Sequence, residues 1–349
     1  MRRGSVASMP DDDAARAGEM AARPEGVAQR LRTAGVVVVL VLALPVGVAT
    51  LLDDAQGAVS AVVGAVYGLL IAVRGGWRTE VSLVPFLVVA SVAAALTHDT
   101  WAWVALLGLL GVLAGYASHA GRLAPVALVG AATCLSPPAH GAGSLLVHAV
   151  LVAASAVYVG LLGRRLGLPE QVRGPALSRH VAMLGAAHLA VVAVVAAWLA
   201  QRSGLAHAEW LPMTVFLLVA SSAGVRVSDA ARHRLAGTLL GVVVGVALST
   251  LATPVTARLV ACVALLLLVV AVTQPLWVNA SLTNVLLMMV LSPTGAGAAE
   301  LGETRLVATV AAAVLVAAGI AAVTWLSRRA DEGAPGTTPF VEAQTEGMT

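Results

Sequence analysis

The sequence predicts an all-α membrane protein of about twelve transmembrane helices, arranged as two parallel six-helix repeats with both termini in the cytoplasm. Three observations carry that expectation. The 349 residues are 59% hydrophobic and only 11% charged, whereas soluble domains carry about 25% charged residues. Apolar runs recur along the chain at close to the length of about 20 helical residues that crosses a bilayer core. The arginines fall almost entirely on alternate connections.

In order, residues 1–33 form a polar tail with an acidic Asp11-Asp12-Asp13 run, too long and too acidic for the basic start of a signal peptide. Apolar runs follow at 34–52, 57–73, 81–97, 101–117, 122–139 and 144–162, which make up the first repeat. A short Pro/Gly/Arg linker covers 163–179. The second repeat, 180–329, holds runs at 180–200, 210–225, 234–252, 256–273, 275–291 and 305–326, and residues 330–349 are a second polar tail. The shorter runs fit a bilayer inside a bundle, where neighbours share tilt and local thinning.

With the N-terminus inside, eighteen arginines fall on inner segments, and only Arg202, Arg258 and Arg305 fall on outer loops. Basic residues mark the cytoplasmic side, and an even span count returns both ends to it. The expected setting is a bacterial inner membrane, with the lipid bilayer as the chief partner. Leu135-Ser136-Pro137 closes the fifth run and Leu291-Ser292-Pro293 the eleventh. Each precedes an Ala/Val-rich span ended by paired arginines, Arg164-Arg165 or Arg328-Arg329. Two six-span halves that both start inside are parallel repeats about an axis along the membrane normal.

The composition also excludes several functions. All 21 basic residues are arginine, so neither a Walker A lysine nor a Schiff-base lysine exists. Cys134 and Cys262 form neither a metal-ligand spacing nor a disulfide framework. No cofactor or metal is expected, no nucleophile–base constellation points to an enzyme, and no basic cluster interleaved with aromatics points to nucleic acid. A homo-oligomer is left open.

One phrase carries a family resemblance. Arg232-His-Arg234-Leu-Ala-Gly237-Thr-Leu-Leu-Gly241 joins a basic inner edge to a glycine-rich span. It resembles the arginine, Gly-Thr and glycine signature of the fusaric-acid-resistance-like aromatic acid exporter superfamily. The resemblance covers 180–329 directly and 34–165 by repeat logic. At the matching place in the first half, Trp77-Arg78-Thr79-Glu80 keeps the basic edge but lacks Gly-Thr. Many members of that family resemble two membrane halves separated by a cytosolic domain, for which 163–179 has no room. The resemblance implies secondary efflux of small organic or aromatic acids, driven by the proton motive force. A passive anion channel of the same fold and a membrane scaffold without transport are the alternatives.

The residues themselves supply candidates for a substrate path. Asn279, Ser281, Thr283 and Asn284 place two amides and two hydroxyls in an apolar run, where lipid cannot satisfy them. At about 100° per residue Asn279 and Thr283 share one face, and Ser281 and Asn284 another. They either line a path or hydrogen-bond neighbouring helices. Arg226, Arg232 and Arg234 crowd one inner edge, as attractors of a small organic anion or as topology markers. His188 and His148 lie within spans and read as proton relays or as neutral imidazoles bonded to neighbours. No Asp or Glu falls deep in a run, so proton coupling is expected to avoid a buried carboxylate. Gly237, Gly241 and Gly245 recur every four residues and form a smooth stripe for close helix packing.

Overall fold

A computed structural model of the chain describes residues 35, 47–48, 51, 55–139, 141–165, 174, 176–222, 227–250, 276–291 and 297–331. Ten α-helices lie among them. They are α1 (Ala55–Gly75), α2 (Trp77–Thr97), α3 (Trp101–Ala117), α4 (Leu123–Cys134) and α5 (Ala142–Arg165), followed by α6 (Arg179–Ser203), α7 (Trp210–Ser221), α8 (Val227–Thr250), α9 (Leu276–Leu291) and α10 (Ala298–Asp331). There is no strand among the described residues. The expected spans at 34–52 and 256–273 lie outside them, apart from four isolated positions in the first.

Among the described residues seven helices are long and apolar enough to cross a membrane, namely α1, α2, α3, α5, α6, α8 and α10. Their outward faces stay apolar, with Leu146, Val150, Val157 and Leu161 exposed on α5 and Val307, Val310 and Val314 on α10. Such a continuous apolar exterior suits lipid and not water.

Two expected full spans prove much shorter. The runs at 122–139 and 210–225 yield only α4 and α7, of 12 residues each. At 1.5 Å per residue that is about 18 Å, well under a bilayer core of about 30 Å. Each has proline at its third position, Pro125 or Pro212, where the missing N–H costs no helical bond. Pro137 and Pro138 stop any extension of α4. Both helices are buried almost throughout and pack on one another, with Gly130 of α4 against the Phe216 ring.

Small residues set the other close interfaces. On α1, Gly64 and Gly68 meet the α5 backbone at Val152 and Ala156. On α3, Gly111 and Gly115 meet α6 at Ala190 and Ala186, so these two helices run antiparallel. Gly237, Gly241 and Gly245 on α8 meet α9 at Trp277, Ser281 and Met288. The α1–α2 turn is a single residue, Gly76, whose φ of 80° favours glycine.

The packing does not follow the parallel repeat. That repeat would match the α4–α7 interface with one between α9 and α1, and these two share no comparable contact. A reversed correspondence fits better, with α1, α2, α3, α4 and α5 matched to α9, α10, α6, α7 and α8. Then α1–α5 corresponds to α9–α8, α2–α5 to α10–α8, α2–α4 to α10–α7, α2–α3 to α10–α6 and α3–α4 to α6–α7, and every one of these pairs packs. The α1–α4 and α7–α8 contacts lack a counterpart of similar extent, and α1–α2 packs more extensively than α9–α10. Because α3 and α6 exchange places and run antiparallel, the implied two-fold axis crosses the helices and does not run along them.

Candidate functional site: buried arginines in a polar seam

The centre of the bundle holds a charge that the sequence pattern assigns to an outer loop. Arg305 sits in the second turn of α10 and is 3% exposed. The segment Glu300–Arg305 is helical from Ala298 onward, so Arg305 is not a loop residue. Its Nε donates to Asn284 Oδ1 on α9 at 2.9 Å, and its Nη1 donates to Thr214 Oγ1 on α7 at 3.3 Å. The guanidinium lies 5.3 Å from the Trp210 ring centroid, within cation–π range.

Every acceptor on this guanidinium is neutral. Among the described residues the only ion pairs are His98–Asp99 and His207–Glu209, the second lying just ahead of Trp210 and involving neither Arg305 nor Arg234. A second cation lies in electrostatic range. Arg234, one turn before Thr238 on α8, acts on Arg305, and Tyr67 of α1 acts on both. Arg234 is half-buried and its Nε is buried without a hydrogen-bond partner. Two arginines brought together at low dielectric without a counter-ion repel one another and raise a strongly positive potential. An anion between them would relieve both effects.

Of the candidates read from sequence, Ser281 and Asn284 are buried at the α8–α9 seam. Ser281 Oγ donates to Gly237 O at 3.0 Å. Asn284 Nδ2 donates to Ala280 O at 2.7 Å and to Thr238 Oγ1 at 3.3 Å, while its Oδ1 serves Arg305. Thr283 is exposed on the opposite face. Asn279 lies on α9, with its side chain outside the described residues, as is all of Arg226. Arg232 is exposed, so only Arg234 of the three edge arginines reaches the interior.

The two histidines lie elsewhere. His148 on α5 meets Ser60 Oγ of α1 at 2.7 Å through Nδ1 and borders a cavity of about 20 Å³ beside Pro137 and Pro138, room for about one water. Its Nε2 turns toward the Ser91 carbonyl without hydrogen-bond geometry. His188 on α6 packs against Gly319 of α10, its Nε2 similarly turned toward the Val316 carbonyl. Neither touches the arginine seam.

The missed carboxylate is Glu80. It is 1% exposed in the first turns of α2, and neither carboxyl oxygen has a hydrogen-bond partner. It occupies the space that a side chain at Gly160 of α5 would need. Glu80 lies at the start of α2 and not deep in the span, but it is a buried carboxylate, which the sequence reading did not expect.

Residues 193–319 match the family model described as fusaric acid resistance protein-like. The similarity to that family is confined to this stretch, from α6 into α10. No curated protein and no solved structure matches the chain. The fusaric acid resistance-like stretch contains Trp210, Thr214, Arg234, Thr238, Asn284 and Arg305, so it holds the whole seam except Tyr67. Glu80 and Gly160 fall outside it.

Proposed function

We propose that the chain is a membrane transporter exporting small organic anions, plausible cargo being aromatic carboxylates, through the seam between α7, α8, α9 and α10. The observation that carries this is Arg305, a buried guanidinium held by a neutral amide and a neutral hydroxyl, with Arg234 nearby and, among the described residues, no carboxylate paired with either. A structural arginine buried for stability ordinarily meets an acid, because an unpaired buried charge is costly. Arginine with an aromatic neighbour suits an aromatic acid. The guanidinium takes the carboxylate in a fork, and Trp210, itself stacked on His207, supplies an apolar wall beside it. The membrane-crossing helices and the fusaric acid resistance-like match support the same reading.

The topology read from sequence places α2, α6 and α8 entering from the cytoplasm, with Arg74, Arg78, Arg164, Arg179 and Arg232 at that face. This basic rim would concentrate organic anions before they reach the seam. Efflux from inverted vesicles, with a panel of aromatic carboxylates and with or without a pH gradient, tests the proposal. Substrate-dependent flux that is lost in Arg305→Met supports it. Absence of carboxylate flux in the wild-type chain refutes it, and flux indifferent to uncouplers assigns a passive anion channel instead.

A further inference from the structure

Among the described residues Glu80 is the one buried carboxylate, and its surroundings differ from those of an ordinary structural acid. Its carboxyl packs on the bare backbone at Gly160, with no donor to either oxygen. The elements packed on α2 carry Tyr67 and Arg74 on α1, Tyr116 on α3, Arg122 ahead of α4 and Cys134 within it, and His148, Tyr158, Arg164 and Arg165 on α5, while α2 itself carries Arg78. None of these forms an ion pair or hydrogen bond with Glu80. Arg164 instead lies over the Trp77 ring, 4.4 Å from its centroid. Ionising a carboxyl that is sealed without partners in a low-dielectric setting is costly. Opening the α2–α5 contact by one turn toward the arginine-lined end would give the carboxylate both water and cations.

A second observation points the same way. Under the reversed correspondence α2 matches α10, and each helix carries a buried threonine directly before its buried charge. These are Thr79-Glu80 and Thr304-Arg305, all within 3% exposure. Glu80 packs on α5, whereas Arg305 bonds to α7 and α9. Matching helices of the two halves therefore carry one buried acid and one buried base, set against different partners.

We infer that Glu80 is a proton-binding site of the transport cycle, taking up one proton as α2 closes on Gly160 of α5 and releasing it when that contact opens to the arginine-lined end. The step is a simple protonation, in which the proton passes between water and a Glu80 carboxyl oxygen. The inference rests on the transporter reading for its consequence, but not for the protonation state itself.

Infrared difference spectroscopy and transport by the full-length chain test it together. Wild type minus Glu80→Gln, recorded at neutral pH, is expected to show the carbonyl band of a protonated carboxyl. In proteoliposomes, pH-gradient-driven accumulation of benzoate is expected to be lost in Glu80→Gln, while benzoate–benzoate exchange is retained. Absence of the band overturns the inference, as does gradient-driven accumulation by Glu80→Gln equal to wild type. If the wild-type chain moves no benzoate in either mode, the transport reading fails, and the infrared band still decides whether Glu80 holds a proton.

Discussion

Replacing either side of the Arg305–Asn284 contact separates a ligand-binding arginine from a structural one, because the two variants have opposite energetic signs. In Asn284→Ala the Arg305 Nε loses its acceptor at 2.9 Å, while Thr238 Oγ1 loses its donor. A buried donor left unsatisfied costs about 1–3 kcal/mol, and more when it is charged. In Arg305→Met the same contact disappears together with the charge. The hydrogen bonds to Asn284 and Thr214 and the cation–π contact with Trp210 are forfeited, but so is the desolvation of an uncompensated guanidinium. Replacing a buried ion pair or triad with apolar side chains of similar volume is often neutral or stabilising by about 1–4 kcal/mol, and a guanidinium with no counter-ion has less attraction to forfeit. Arg305→Met is therefore expected to match or exceed wild-type stability, and Asn284→Ala to fall below it by about 2 kcal/mol. Unfolding in mixed detergent micelles, followed by tryptophan fluorescence, reports both, since Trp210 lies beside the site. If Arg305→Met is the less stable of the two, the arginine is structural glue and the reasoning fails.

Three further outcomes follow from the geometry. Gly241→Ala would drive a methyl into the Ser281 backbone and is expected to destabilise by about 1–3 kcal/mol, whereas Gly185→Ala meets open space and should be neutral or gain up to about 1 kcal/mol; thermal melts of the two compare them directly. Ser60→Ala removes the hydroxyl at 2.7 Å from His148 Nδ1 in a buried seam and should cost about 1–3 kcal/mol, read by the same melts, with benzoate flux unchanged. At the loop before α7, hydrogen bonding to Glu209 holds the His207 imidazole above its ordinary range. The pair's stabilisation is therefore full below the unfolded pKa of about 6.5 and lost as pH rises through the higher folded value. The site is partly exposed, so the gap between wild type and His207→Gln should stay under about 1 kcal/mol in acid and vanish in alkali; a gap that grows with pH would show the sign to be wrong.

Much of the fold was legible because lipid imposes one rule on the whole chain. Apolar runs at 101–117 and 275–291 fall on α3 and α9 almost to the residue, since nothing but helix satisfies their backbone in a membrane. The runs at 122–139 and 210–225 misled for the opposite reason. Hydropathy does not distinguish a lipid-crossing helix from a short one buried on all sides by protein, and only the prolines hinted at the difference. The buried charges were hidden by their position near the ends of apolar runs, where a polar residue reads as loop. Their signal was the stripe beneath them. Glu80, Val84, Leu87, Ser91 and Ala94 recur at helical spacing and are all buried, as are Gly302, Arg305, Thr309, Ala312 and Val316. A charge continuing the buried stripe belongs to the helix. The reversed correspondence was harder to see, because it rests on which helices touch. The recurring Ser-Pro and Arg-Arg pairs instead suggested a parallel order.

The central claim is that the buried arginines meet an organic anion, and flux of benzoate against benzamide through wild-type and Arg305→Met proteoliposomes tests it most directly. The two solutes share a ring and differ in charge. Benzoate flux that exceeds benzamide flux in the wild type, with that preference abolished in a stably folded Arg305→Met, is the predicted result. Equal flux of the two solutes, or a benzoate preference that survives the substitution, would contradict it.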